Sequence, residues 1–123
     1  MNLRLMTNDE LIERTMDFAV RVLRMAEKLP RTTGGQVVAR QVTRSGTSVA
    51  ANYRAALRGK SRADFIHKIT IVLEEADETG FWVDFACRAK LLPRERLNPL
   101  RDEAEQLVRI FNATRATALS HKS

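Results

Sequence analysis

Arg40, Arg44, Arg54 and Arg58 follow one another at intervals of four, ten and four residues. On a helix advancing about 100° per residue, those intervals place all four within about 80° of each other. A guanidinium stripe of one sign is chemistry for phosphate. Its planar forks match phosphate oxygens and neutralise a nucleic-acid backbone without reading a base. Residues 31–60 hold Arg31, these four arginines and Lys60, with no acid, and Arg62 extends the run past a turn. That +6 equals the net charge of the whole 123-residue chain, which carries 21 Lys+Arg and 15 Asp+Glu. The rest of the sequence sums to zero. Two other uses of the stripe stay open at this level, a solvated polar face and pairing with acids on a neighbouring helix. No base-reading motif accompanies it.

The remaining reactive groups assemble into nothing catalytic. Glu74, Glu75, Asp77, Glu78 and Asp84 concentrate the acids, and paired carboxylates can move protons or hold metals. Here they read as a solvated face or as partners for the arginines. Bundles that hold two metals need Glu and Glu-x-x-His sets pointing inward from several helices. Asp64 and His67 are the only similar pair, off the core row, and His121 stands near the end. Cys87, the one cysteine, excludes an internal disulfide and a cysteine-built zinc site, and points to the cytoplasm. It reads as a buried thiol on the core row, about five turns from His67. Gly34-Gly35 lacks the Lys-Ser/Thr of a phosphate-cradling loop, and Ser45, Thr47 and Ser48 have no base beside them in sequence. The expectation is a protein that is not an enzyme, with no metal and no cofactor.

Four segments of helical periodicity must position these groups, over about residues 8–29, 36–58, 62–90 and 99–118. The first opens on Thr7 and Glu10 at capping-box spacing. Leu11, Phe18, Val22, Met25 and Leu29 then recur at four-three intervals, with Thr15 in the gap. Ile12, Met16, Ala19, Leu23 and Ala26 widen that stripe. Pro30 ends the helix, and residues 31–35 read as a loop. The second segment carries Val38, Val42, Val49, Tyr53 and Ala56. Small residues at Ser45, Gly46 and Ala50 predict a close helix approach, and Gly59 predicts a left-handed cap. Ser61 caps the third segment, with its row of Phe65, Ile69, Val72, Ala76, Thr79/Gly80, Val83 and Cys87. Asn98 and Pro99 read as cap and first residue of the fourth, with Leu100, Ala104, Leu107, Phe111, Thr114 and Ala118 on its core row and a frayed end from Leu119.

No stretch alternates with period two, and 5 Gly with 3 Pro are too few for the turns of an all-β fold. Short connections make successive helices antiparallel neighbours. The fold class is all-α, an antiparallel up-down-up-down four-helix bundle, read as one domain over residues 1–123. No apolar run is long enough for a membrane span, and Met1 to Met6 offer no stretch fit for a signal peptide.

One apolar feature asks for a partner. Phe81 and Phe85 lie about 160–200° from the core row of the third helix, flanked by Ile71 and Trp82. That helix holds four of the seven aromatic residues. Clustered exposed apolar side chains mark interaction surfaces, so these four residues are the expected subunit interface. The alternative is a third helix buried on two sides.

The run Arg44-Ser45-Gly46-Thr47-Ser48-Val49-Ala50-Ala51-Asn52 resembles the second-helix signature of the bacterial four-helix-bundle proteins called 23S rRNA intervening-sequence proteins. Ser61-Arg62-Ala63-Asp64-Phe65-Ile66-His67-Lys68, followed by Leu73-Glu74-Glu75-Ala76-Asp77-Glu78-Thr79 and Trp82, resembles its third-helix signature. The resemblance spans about residues 12–118. Where many members continue Ile-Ala-Glu-Gly, this chain has Tyr53-Arg54-Ala55-Ala56, which removes an acid and adds an arginine to the second helix. The resemblance implies a left-handed bundle, no enzymatic activity and a homopentamer. Pentamers occur in related proteins, including the accessory protein of diversity-generating retroelements, which binds nucleic acid and a reverse transcriptase through a basic surface. The combined expectation is a cytoplasmic ring-like homo-oligomer that presents Arg40, Arg44, Arg54, Arg58, Lys60 and Arg62 to RNA or DNA. The alternative is a scaffold that binds a protein partner and uses its arginines between subunits.

Overall fold

A computed structural model of the chain describes residues 6–121; most of the Met1–Met6 segment and the last two residues lie outside it. Four helices follow one another: α1 (Asn8–Glu27), α2 (Thr33–Leu57), α3 (Arg62–Arg88) and α4 (Arg94–Ser120). No strand occurs among the described residues. Each helix packs on its chain neighbours and α4 closes back on α1, while across the bundle diagonal α2 meets α4 through the Tyr53 and Phe111 rings. This is the expected all-α four-helix bundle. The α1–α4 seam is the most sparsely packed of the four.

Caps explain most of the boundaries. The Thr7 hydroxyl accepts the Glu10 N–H at 3.1 Å and the Ser61 hydroxyl accepts the Asp64 N–H at 3.0 Å. Each satisfies a donor that the helix itself leaves free. Thr32 does the same for α2, accepting from Gly35 N–H at 3.1 Å. The second helix therefore starts at Thr33, three residues earlier than its apolar pattern indicates. Gly34 and Gly35 are first-turn residues, not loop. A Cβ on Gly35 would lie 1.8 Å from the Pro30 carbonyl oxygen, so the glycine serves the close approach of the α1–α2 connection to the first turn.

Two other ends differ from the sequence expectation. Gly59 is not left-handed: α2 is capped by Arg58 at φ −101°, and the positive φ among the described residues belongs to Lys90, at 58°. Lys90 N–H donates to Cys87 O at 3.0 Å and Leu91 N–H to Ala86 O at 2.9 Å, the paired closing bonds of a Schellman end. A side chain in that conformation is strained by about 1–2 kcal/mol. Lys90→Gly is expected to raise stability by about 0.5–1 kcal/mol net of the extra freedom of unfolded glycine, as read by urea melts.

The fourth helix begins at Arg94 with Pro93 as its cap, so Pro99 sits inside it and not at its first position. Leu97, which is 1% exposed, is the reason. Burying that side chain draws the Arg94–Asn98 turn onto the core, while proline forfeits a single backbone bond near the helix start. At its other end α4 stays helical through Ser120, past the expected fraying at Leu119.

The core is one cluster in which Phe18, Val22, Val42, Val49, Ile69, Val72, Leu107 and Phe111 are fully buried. The Tyr53 and Phe111 rings meet at 5.3 Å. Gly46 faces Val22 so closely that a Cβ there would lie 2.8–2.9 Å from three of its atoms. The small residue brings α1 and α2 together, as the sequence implies. Ser45 and Thr79 pair hydroxyls at 2.8 Å in the α2–α3 contact, and Thr79 donates onward to Glu75 O. Both buried oxygens are thereby satisfied. Cys87 is half-buried, and Ala86 takes the inward position on α3.

Candidate functional site

Geometry divides the arginine stripe of α2. Arg44 reaches across to α3, where its guanidinium meets Glu75 at 2.8 Å and also Glu78. Hydrogen bonding first to Glu78 and then to Glu75 holds that guanidinium above its ordinary pKa. Arg44 thus serves a helix–helix contact, the use of the stripe that the sequence left open beside phosphate binding. Arg40, Arg54, Arg58, Lys60 and Arg62 are exposed and form no ion pair among the described residues. Arg40 stands about 20 Å from Arg54 along the helix. Arg54 and Arg58 are one turn apart, and Lys60 and Arg62 follow at the α2–α3 turn. The stripe becomes a four-cation cluster at one end of the bundle and a single outlying arginine.

Local structure fixes this cluster. The α2–α3 turn is held by Gly59 N–H donating to Ala56 O at 3.1 Å, and by Lys60 N–H reaching the Asp64 carboxylate at 3.3 Å. Asp64 therefore serves the start of α3, and His67 is exposed beyond it. No group of three His, Cys, Asp or Glu side chains comes together among the described residues. Asp84 pairs with Arg101 of α4, and Glu74 and Asp77 are solvated. The acids of α3 are thus divided between the two bland uses read from the sequence.

The aromatic patch forms as expected, with one correction. Phe81 is 56% exposed and Phe85 42%, so α3 is not buried on two sides within the chain. The Phe81–Trp82, Trp82–Phe85 and Phe81–Phe85 ring centroids lie 4.9, 5.7 and 6.3 Å apart. Trp82 is half-buried and donates its Nε1–H to Glu78 at 3.2 Å. The carboxylate that holds Arg44 therefore also orients the indole. Ile71 is half-buried about 15 Å away along the helix and does not join the ring cluster.

Sequence reasoning missed a second apolar face. Met16 and Leu23 of α1, assigned above to the core stripe, are 42% and 37% exposed. They lie on the helix diagonal to α3. Their position about 140–160° from the fully buried Phe18 was the available signal. Across the thin α1–α4 seam, Arg14 forks onto Glu103 through Nε at 2.7 Å and Nη2 at 2.8 Å, and Nη2 also reaches Gln106 at 2.9 Å.

No helix among the described residues is long and apolar enough to cross a membrane. The model of the 23S rRNA-intervening sequence protein family matches residues 7–113. A crystal structure of a protein of unknown function from the S23 ribosomal protein family of Bacteroides thetaiotaomicron superposes with a TM-score of 0.83 at 31% identity, over 90% of this chain and 99% of that one. No curated protein matches the chain. With two signatures in order, the four-helix architecture and a family match over most of its length, the chain belongs to the 23S rRNA intervening-sequence protein family.

Proposed function

We propose that the protein is a non-catalytic cytoplasmic homo-oligomer, a ring of five chains, that holds RNA or DNA on the basic end of α2. The observation that carries the nucleic-acid reading is the exposed Arg54, Arg58, Lys60 and Arg62 group, free of ion pairs among the described residues. Four neighbouring cations, none of them ion-paired among the described residues, suit a phosphate backbone and favour no base. A ring requires two different faces on each chain, because a closed head-to-tail assembly is heterologous. Phe81 and Phe85 on α3 supply one, and Met16 and Leu23 on diagonal α1 supply the other. The number five comes from the resemblance to pentameric relatives. Repeating the basic cluster around a ring turns weak contacts into avid ones, because each engagement after the first is intramolecular.

A second reading is a protein-interaction scaffold that binds no nucleic acid and uses its arginines in subunit contacts; Arg44, held by Glu75 and Glu78 of its own chain, shows that one arginine of the stripe pairs with carboxylates. Titration of labelled single-stranded RNA at two salt concentrations separates the two. Wild type is expected to bind with a steep salt slope. Arg54→Ala/Arg58→Ala is expected to lose affinity and flatten the slope by about 1.4 per engaged chain, at about 0.7 per phosphate. An assembled double variant with unchanged affinity and slope would exclude this cluster. A wild type without salt-sensitive binding would favour the scaffold.

A further inference from the structure

The opposite end of the bundle carries charge that a linear sum hides. Residues 21–31 and 88–96 together hold eight basic residues against Glu27 and Glu95. The antiparallel fold brings these two segments to the same end. There the sparse α1–α4 seam opens into a groove of about 370 Å³, within the size range of ligand pockets. Its rim is Arg21, Arg24 and Lys28 of α1 and Arg96 of α4, and no acid lines it. Arg24 is partly engaged by Glu27 at 3.2 Å. Arg21, Lys28 and Arg96 are exposed, without ion pairs among the described residues. The floor is apolar, made by Val20, Met25, Leu92 and Leu100, and Val20 is 44% exposed on it.

We propose that this groove binds an amphiphilic anion, with an acyl or aryl body on the apolar floor and a phosphate, sulfate or carboxylate head on Arg21, Lys28 and Arg96. The two halves of the site need the two halves of the ligand. A bare inorganic anion leaves the floor wet, and a neutral chain leaves three cations without a partner. Nucleic acid fits less well, because no aromatic side chain lines the groove to stack an unpaired base. The inference concerns residues separate from the Arg54–Arg62 cluster and stands independently of the nucleic-acid reading. The same head-and-chain chemistry could come from a free metabolite or from a lipid in a bilayer.

Isothermal titration of the intact protein with decyl phosphate, decanol and inorganic phosphate tests it. Decyl phosphate is expected to bind at least tenfold more tightly than either of the others. Lys28→Gln/Arg96→Gln is expected to weaken it at least tenfold, and Arg109→Gln, an exposed arginine of α4 outside the groove, to leave it unchanged. Leu92→Gln, which makes the floor polar from the α3–α4 connection and leaves the α1 face of Met16 and Leu23 untouched, is the second variant and is expected to abolish binding in a protein of unchanged mass and helix content. Co-sedimentation with phosphatidylglycerol vesicles would identify a lipid as the source, and decyl phosphate binding without co-sedimentation a free amphiphile. Equal affinity for decanol, an unweakened Lys28→Gln/Arg96→Gln variant, or full displacement of decyl phosphate by single-stranded RNA would overturn the proposal.

Discussion

Phe85→Glu should dissociate the assembly while leaving the helices folded. Phe85 is 42% exposed, meets the Trp82 and Phe81 rings and lies outside the buried core cluster, so the substitution removes little of the bundle core. In a subunit interface the same change buries a carboxylate without a partner, which costs several kcal/mol. Glu74 and Asp77 are already exposed on this helix and add like-charge repulsion. Sedimentation velocity should show a fall to monomer mass, and circular dichroism unchanged helix content. A variant that assembles like wild type would show that the ring patch lies outside the interface. Replacing Met16 and Leu23 on α1 by Glu should give the same dissociation, because a head-to-tail contact fails when either of its two faces is spoiled.

Gly46→Leu should be among the most damaging single substitutions in the bundle, at about 3 kcal/mol. Helix propensity alone favours the change by nearly 1 kcal/mol. Packing decides the sign, because even the first carbon would lie 2.8 Å from Val22 Cγ1 and 2.9 Å from its Cβ. Val22 cannot turn away: its side chain is β-branched, fully buried and stiff about χ1. The α1 and α2 axes must therefore part, loosening the neighbouring core contacts as well. Gly46→Ala should show a smaller loss, and combining it with Val22→Ala should recover stability beyond the sum of the single effects. Thermal and urea melts of these variants beside wild type measure this. A Gly46→Leu protein as stable as wild type would mean that the glycine is merely tolerated.

Much of this architecture is legible in the sequence because local signals carry it. Thr7 and Ser61 announce helix starts with their own side chains, and the four-three apolar rows of α1 and α2, with the part of the α3 row from Ile69 to Val83, select residues that are found buried. What escapes is set by contacts distant in sequence. Pro99 reads as a helix start by its local chemistry, but the burial of Leu97 begins α4 five residues earlier. Gly59 reads as the left-handed cap, yet Lys90 takes that conformation because the closing bonds to Ala86 and Cys87 require it there. The basic stripe was visible as residue types and spacing. That Glu75 and Glu78 claim Arg44, and leave Arg54, Arg58, Lys60 and Arg62 as the cluster, depends on the register of α2 against α3. The groove cations were invisible to a segment-by-segment sum, because acids elsewhere on α1 and α4 cancel them until the fold separates the two groups.

Light scattering on the purified protein, alone and with a single-stranded RNA of about twenty nucleotides at low and then high salt, tests the central claim most directly. The account predicts a mass near five times the 14.0 kDa chain for the protein alone, an increase on adding RNA at low salt, and a return to the protein-only mass at high salt. A 14.0 kDa particle whose mass does not change with RNA at either salt concentration would contradict it.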